Sequence, residues 1–240
     1  PILANLGDQQ AALFGQCCFE PGTAKCTYGT GSFLLANAGN QFTLADGMLT
    51  SVAWQLDGEK PVFAFEGAIF ITGAAIQWLR DGLGIIESSA ETEVMAKAID
   101  SNDGVYFVPA LVGLGSPWWN SDVRGTIIGI TRGSKKEHFV RAALESMAYQ
   151  VGDVSCNMKE NGIELKNLRV DGGATRNEFM LQYQADILGT TVERAAQLEA
   201  TAWGVAALAG IKSGITSGTE ELSAAWQCDR EFKPEKDRQP

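Results

Sequence analysis

Two glycines on either side of a threonine are the first candidate site in the stretch TYGTGSFLLANAG, residues 27–39. Gly29 and Gly31 lie between strand-forming residues, and glycine reaches positive φ at little cost, so a hairpin turn is one interpretation. Bare backbone amides beside the Thr30 hydroxyl could also bind phosphate oxygens, which is the other interpretation. The local sequence leaves both open.

Two further glycine positions could contact a phosphate or a nucleotide. Gly73 lies in an apolar segment, four residues before the polar Gln77, and close helix packing is its alternative role. The pair Gly172-Gly173 separates the strand-like LRV from a helix start. A tight turn would explain this pair, but such a turn also places free amides beside the crevice where α/β sheets bind ligands.

Asp8, in NLGDQQAALFGQ, places a carboxylate at the start of a short apolar helix. Aspartate is a good helix N-cap, and this structural role would be sufficient to explain it. A carboxylate beside a bound hydroxyl is also the base that a phosphotransferase requires. The two roles are compatible.

Other kinds of catalytic site are disfavoured by the motifs. The single histidine, His138, lies in the charged run KKEH and is expected at the surface, which argues against Ser-His-Asp and Cys-His hydrolases. GVAALAGIKS misses the Walker A spacing, and neither GTGSFL nor GLGSPW completes a dinucleotide fingerprint. Five cysteines, with no C-x-x-C, predict free thiols in a reducing cytosol rather than a disulfide framework or a zinc site.

The composition and net charge limit the kinds of partner that this chain is expected to bind. With 240 residues, of which 45% are hydrophobic, the chain can bury a sizeable core as one large domain or two small ones. A net charge of −10 argues against nucleic acid or an anionic membrane as a partner. No apolar run approaches the roughly 18 residues that a membrane span needs. The chain starts at Pro1 without a signal peptide, and we interpret it as a fragment.

Helices and strands must position these candidate residues, and strands come first along the chain. Three are predicted over residues 24–56, in AKCTYGT, SFLLANA and MLTSVAWQL. The segment EGAIFITGAAIQWLRDGLG is apolar nearly all round until Arg80, which predicts a buried helix. A polar helix at about residues 90–100 and a strand in GVYFVPAL follow.

The clearest helix spans residues 135–160, where apolar residues recur at steps of four and three: Val140, Leu144, Met147, Val151, Val154 and Met158. Ser134 with Glu137 predicts a capping box at its start, and Gly162 suits its end. Strand NLRVDGG leads to a second predicted box, Thr175 with Glu178, and to a helix that stops at Gly189.

Strand TTVERA and helix ATAWGVAALAGI come next, and EFKPEKDRQP is predicted to be a frayed tail. Consecutive strands followed by alternating helices and strands predict an α/β fold with a mixed sheet flanked by helices.

Five segments together resemble, in order and spacing, the C-terminal half of the glycerol kinases: GDQQAALFGQ, TYGTGSF, EGAIFITGAAIQWLRD, GLGSPWW with RGTIIGITRG, and RVDGGATRNEF. The resemblance runs from about Gly7 to Gly210. It implies the ribonuclease-H-like (actin-like ATPase) fold of the carbohydrate kinases. It also implies that residues 1–230 form a C-terminal nucleotide-binding domain, that 231–240 are a tail, and that an N-terminal lobe is absent from this chain.

The resemblance also implies roles for individual residues. Asp8 would be the general base for the attacking hydroxyl, with Gln9 and Phe33 as glycerol contacts. Six residues would bind ATP: Thr30 and Gly31 at the phosphates, Gly73 and Gln77 further along the nucleotide, and Gly173 and Asn177 at the adenosine.

The implied activity is ATP-dependent phosphorylation of glycerol in the cytoplasm, with Mg²⁺ and with the N-terminal lobe as partner. The isolated chain is expected to be inactive, and homo-oligomer formation stays open. The alternatives are a kinase of another small polyol or sugar, and a non-catalytic nucleotide-binding module.

Overall fold

A computed structural model describes residues 1–197 and 199–235. Its central sheet has seven strands in the order β3-β4-β2-β1-β7-β8-β9. These strands are β1 Thr23–Tyr28, β2 Ser32–Gly39, β3 Leu49–Trp54, β4 Val62–Ile69, β7 Asn167–Asp171, β8 Val192–Ala195 and β9 Cys228–Phe232. A separate two-stranded ribbon pairs β5 Tyr106–Val108 with β6 Thr126–Ile128.

The sheet is mixed, as the sequence predicts. Strand β1 pairs antiparallel with β2 and parallel with β7, which pairs parallel with β8. The pairs β2–β4, β3–β4 and β8–β9 are antiparallel. The carboxyl ends of β1 and β7 therefore lie side by side, directly before the two glycine turns.

Strand β4 corrects the prediction of one buried helix over residues 66–84. Val62–Ile69 pairs with β2 on one side and β3 on the other, and helix begins only at Gly73. A strand covered on both faces shows a continuous apolar run, which periodicity cannot distinguish from a buried helix. What remains of the predicted helix is a short α-helix that continues into a π-helical turn, Trp78–Gly82.

Helices cover both faces of the sheet. They are α1 Asp8–Gly15, α2 Gly73–Gln77, α3 Glu91–Lys97, α4 Lys136–Glu160, α5 Glu178–Leu188, α6 Ala200–Ser213 and α7 Thr219–Ala225. On one face, Leu13 and Phe14 of α1 and Ala207 of α6 pack with Leu35 of β2 and Ala64 of β4. On the other face, α4 and α5 pack against side chains of β1, β2 and β4, such as Cys26, Leu34 and Phe65.

Helix α4 confirms the predicted apolar stripe, since all six stripe residues are buried. Its cap differs from the prediction. The cap residue is Lys135, and the His138 Nδ1 accepts a hydrogen bond from the Lys135 amide at 2.8 Å. His138 is therefore a buried capping residue, 9% exposed, rather than a surface histidine. The Ser134 hydroxyl instead accepts from the Thr131 amide.

The predicted tail starts too early. Strand β9 extends to Phe232, which pairs with Val192 and is buried, so residues 231 and 232 belong to the sheet. Residues 231 and 232 remain in this edge strand because the Phe232 side chain belongs to the core on the α4 side of the sheet. Residues 236–240 lie outside the described part of the chain. Among the described residues, no helix is long and apolar enough to cross a bilayer.

Candidate functional site

A cleft of ≈ 840 Å³ opens beyond the carboxyl ends of β1 and β7. Its lining includes the β1–β2 turn, helix α2 with the turn after it, and the turn that follows β7, together with residues of α3, α4 and α5. The cleft volume falls within the usual range for small-molecule sites. Five of the predicted nucleotide contacts line it, namely Thr30, Gly73, Gln77, Gly173 and Asn177.

The floor of the cleft is apolar and its walls are polar. Leu144, Met147 and Met180 form the apolar part, while Arg80, Glu93 and Arg176 lie on the walls. Beside the floor, the Tyr28 hydroxyl donates to the Gln184 Oε1 at 2.7 Å, which satisfies its one buried donor. Such a cleft suits a ligand with a flat, largely apolar part and a polar remainder.

The turn Gly29-Thr30-Gly31 is both a hairpin turn and a set of exposed donors. The Gly29 amide donates to the Gly31 carbonyl at 2.8 Å, which closes the turn. The amides of Thr30 and Gly31 donate to no acceptor in the described part of the chain, and Thr30 is exposed. Two free amides beside a free hydroxyl form a concave donor group that suits an anion.

Helix α2 holds this turn in place from behind. The Gly73 amide donates to the Gly29 carbonyl at 3.1 Å, and the Thr72 and Ala74 amides both donate to the Thr30 carbonyl at 3.0 Å. The first amides of α2 are therefore used by the turn and not by a ligand. These bonds use the Gly29 and Thr30 carbonyls and leave the Thr30 and Gly31 amides without an acceptor among the described residues.

Close approach, not positive φ, explains Gly31 and Gly73. Neither these residues nor Gly29 has a positive φ. A Cβ at Gly31 would overlap the Ile69 carbonyl oxygen, and a Cβ at Gly73 would overlap that of Gly29. Gly73 is therefore closely packed and also lines the cleft, whereas Gly31 is not among the residues that line it.

We expect Gly31→Ala to lower the free energy of unfolding by about 1–3 kcal/mol, the usual cost of forcing an atom into a packed region. Gly29→Ala is the matched control, since its new Cβ would lie 3.6 Å from the nearest atom, the Gly31 oxygen. It should change the free energy by at most about 0.5 kcal/mol. Urea denaturation followed by circular dichroism measures both, and equal losses would exclude this packing argument.

The turn after β7 forms the opposite wall of the cleft. Gly172 has φ of 93°, and a Cβ there would overlap the Tyr28 carbonyl oxygen. A 3-10 turn, Gly173–Arg176, follows it and precedes α5. The Gly173 and Ala174 amides have no acceptor in the described residues, so this turn too offers donors to the cleft.

Asn177 caps α5, which corrects the predicted Thr175–Glu178 box. Its Oδ1 accepts from the Met180 amide at 3.0 Å. Its Nδ2 donates to the Thr92 hydroxyl at 3.1 Å, which joins α5 to α3 across the cleft wall. The Thr175 hydroxyl instead donates to the Gly172 carbonyl, because it lies inside the 3-10 turn rather than before a helix.

Replacing Asn177 by alanine should lower the free energy of unfolding by about 1 kcal/mol, the typical cost of a lost N-cap. Asn177→Asp keeps an oxygen for the Met180 amide and should lose less. Thermal or urea unfolding of the two variants distinguishes them. A loss of the same size in both would mean that the cap is not what Asn177 contributes.

A second polar region lies on the other face of the sheet and contains Asp8, Gln9 and Phe33, none of which lines the cleft. Asp8 is the first residue of α1, after the cap residue Gly7, and its exposed Oδ1 accepts from the Gln9 amide at 2.8 Å. The structure thus places Asp8 inside the first turn, not at the predicted N-cap. Phe33 is half-buried and pairs with Thr27 of β1.

Two charged residues in this second region were not predicted. Lys25 of β1 is fully buried, and its Nζ donates to the Gln9 Oε1 and to the Thr27 hydroxyl. Glu66 of β4 is half-buried. Burial raises the pKa of its carboxyl, the Lys25 ammonium lowers it, and the Asp8 carboxylate raises it again. Asp8, Lys25 and Glu66 therefore form one electrostatic group.

Most of the chain is similar to known carbohydrate kinases. The profile of the "FGGY family of carbohydrate kinases, C-terminal domain" matches residues 24–213. A glycerol kinase of Geobacillus sp. (strain WCH70) is 54% identical over 237 residues, which cover 98% of this chain and 48% of that protein. Glycerol kinase 2 of Thermotoga maritima is 56% identical over 236 residues, 98% of this chain and 47% of that protein.

A solved structure is also similar. The Plasmodium falciparum glycerol kinase with ADP matches with a TM-score of 0.91 and 37% sequence identity, over 96% of this chain and 46% of that chain. The chain thus spans about half the length of the relatives it matches.

Proposed function

Since this chain belongs to the FGGY family of carbohydrate kinases, as its C-terminal domain, we propose that it is the nucleotide-binding half of a glycerol kinase. The fold is the α/β, actin-like ATPase fold of this family, as the resemblance implied. The proposed reaction transfers the terminal phosphoryl group of ATP to a hydroxyl of glycerol, which gives sn-glycerol 3-phosphate and ADP.

The single observation that carries the proposal is the cleft with its two donor turns. The free amides at Thr30, Gly173 and Ala174 border one cleft with an apolar floor, and the free Gly31 amide follows Thr30 in the same turn. We assign the phosphates to the first turn and the adenosine to the side of Gly173 and Asn177. Gly73 and Gln77 lie between them in this proposal. The similar Plasmodium protein was solved with ADP.

Asp8 is the proposed general base. As the hydroxyl oxygen forms its bond to phosphorus, the O–H bond breaks and the Asp8 carboxylate accepts the proton, while ADP leaves with the electrons of the broken P–O bond. An exposed carboxylate is sufficient for this, because the proton is transferred only late in the reaction. Gln9 and Phe33, in the same region, are the proposed glycerol contacts.

Phosphoryl transfer depends mainly on positioning and on neutralising charge. The described residues contain no group of three or more His, Cys, Asp or Glu side chains that could hold a metal ion. We propose that Mg²⁺ arrives as MgATP, held mainly by phosphate oxygens, as is usual for this ion. We propose the cytosol as the compartment, which fits the free thiols of Cys17, Cys18, Cys26, Cys156 and Cys228.

The test is an assay of a full-length protein that carries these residues, with MgATP and a series of alcohols: glycerol, a tetritol, and a five-carbon sugar. We expect phosphorylation of glycerol with kcat/KM at least about tenfold above the others, because one missing or extra group in a fitted pocket changes rates by that order. Preference for a longer polyol or sugar would replace glycerol kinase by another kinase of the family. Binding of ADP without phosphorylation of any alcohol would favour a non-catalytic nucleotide-binding module.

A further inference from the structure

Lys25 is an unusual residue for the middle of a covered sheet. It lies in β1 between Ala24 and Cys26, and its whole side chain is buried under α1. No carboxylate of the described residues lies within ion-pair distance of its ammonium. The Asp171 carboxylate, in the adjacent strand, acts on the Lys25 ammonium from beyond that distance, and it accepts a hydrogen bond from the Gln16 Nε2 at 2.7 Å.

This arrangement is costly for the fold. Burial lowers the pKa of the Lys25 ammonium, and the more distant carboxylates of Asp171 and Glu66 only partly offset that effect. Even a buried ion pair can often be replaced by apolar residues with no loss of stability, and Lys25 lacks a close counter-ion in the described part of the chain. The position of Lys25 is therefore explained better by what it holds than by what it adds to stability.

What it holds is the side chain of Gln9. An ammonium group has only donors, so the atom of the Gln9 amide that contacts it must be the oxygen. The Gln9 Oε1 accepts from the Lys25 Nζ, and the Thr27 hydroxyl accepts from the same Nζ at 3.1 Å. The Gln9 NH2 group is thereby turned away from Lys25, and it has no acceptor among the described residues.

We propose that Lys25 is a positioning residue for the alcohol side of the site: its ammonium fixes Gln9 with the amide oxygen inward and leaves the NH2 group to donate to a hydroxyl of the substrate. The inference rests on the proposed function, since it needs an alcohol bound beside Asp8. Without Lys25 the Gln9 amide would be free to rotate and would offer an oxygen and an NH2 group with similar ease.

The test is a double-mutant cycle in a full-length protein that carries these residues. Lys25→Met, Gln9→Ala and the double variant are assayed for kcat and for the KM of glycerol at saturating MgATP. ADP affinity and the thermal midpoint are measured on the same samples. Lys60→Met, at an exposed lysine, is the matched control.

We expect Lys25→Met to raise the KM of glycerol about tenfold, the order expected when one well-placed hydrogen bond is lost. Its ADP affinity should stay within about twofold, because Lys25 does not line the cleft, and its thermal midpoint should not fall. In the Gln9→Ala background, Lys25→Met should add almost nothing, since the residue it positions is already gone.

An unchanged KM in Lys25→Met would overturn the inference, and so would an equal effect of Lys25→Met with and without Gln9. If Lys25→Met does not fold, Gln9→Glu decides: it keeps an acceptor for the ammonium but removes the NH2 donor, so an unchanged KM would also overturn the inference. A wild-type protein inactive on glycerol would overturn the proposed function and this inference together, whereas an active one with an unaffected Lys25→Met overturns the inference alone.

Discussion

Asp8→Asn should reduce the turnover of a full-length protein with these residues by at least about a hundredfold, the lower range for a lost general base. The asparagine keeps the size of the side chain and an oxygen for the Gln9 amide, so helix α1 should still form. It cannot accept the proton of the attacking hydroxyl. Steady-state assays of glycerol phosphorylation measure this loss.

The nucleotide side of the site should be unaffected by the same substitution. Asp8 does not line the cleft, so ADP affinity by calorimetry should change by less than about twofold. Asp100→Asn, at an exposed aspartate, is the matched control and should leave turnover unchanged. Near-normal turnover in Asp8→Asn would remove Asp8 from the mechanism.

The second large effect is expected from the 240 residues alone. They contain every proposed nucleotide contact, so ADP should bind with a Kd on the order of 0.1–1 mM, or about 4–5.5 kcal/mol. Glycerol phosphorylation should not be detectable, because half of the relatives' length is missing and one lobe cannot exclude water or align the two substrates. Calorimetry with ADP and a coupled glycerol 3-phosphate assay test the two statements, and robust turnover would contradict the second.

Sequence patterns that depend on a single helix or strand predicted that element correctly. The stripe of α4 and the end of α5 at Gly189 depend on local spacing and on one glycine, and both lie where the sequence places them. The boundaries of β1 and β2 follow from the glycines between them. These features need little knowledge of the rest of the fold.

Features set by neighbouring elements were missed. Whether Val62–Ile69 is strand or helix depends on the presence of β2 and β3 on either side, and its apolar residues suit both states. The predictions of the helix caps were wrong for a related reason. Ser134 and Thr175 are good capping residues, but the turns that precede α4 and α5 place His138 and Asn177 at the bonds instead.

In the candidate site, too, local features were predicted and features that depend on neighbouring elements were missed. Glycine spacing located the two turns, yet it could not tell whether Gly73 serves packing or a ligand, because both require the backbone to approach closely. Lys25 could have been found: a lysine between Ala24 and Cys26 in a strand with helices on both faces must be buried. Glu66 was assigned to a helix, so its proximity to Lys25 and Asp8 could not be predicted.

We propose that the nucleotide binds in the cleft between the β1–β2 turn and the turn after β7. An amide chemical-shift titration of these 240 residues with ADP, at concentrations up to several times the expected Kd, tests it most directly. We expect the largest shifts at the amides of Thr30, Gly31, Gly173 and Ala174, with little change at Gln9. Shifts confined to other parts of the chain, or none at these four amides at saturation, would contradict it.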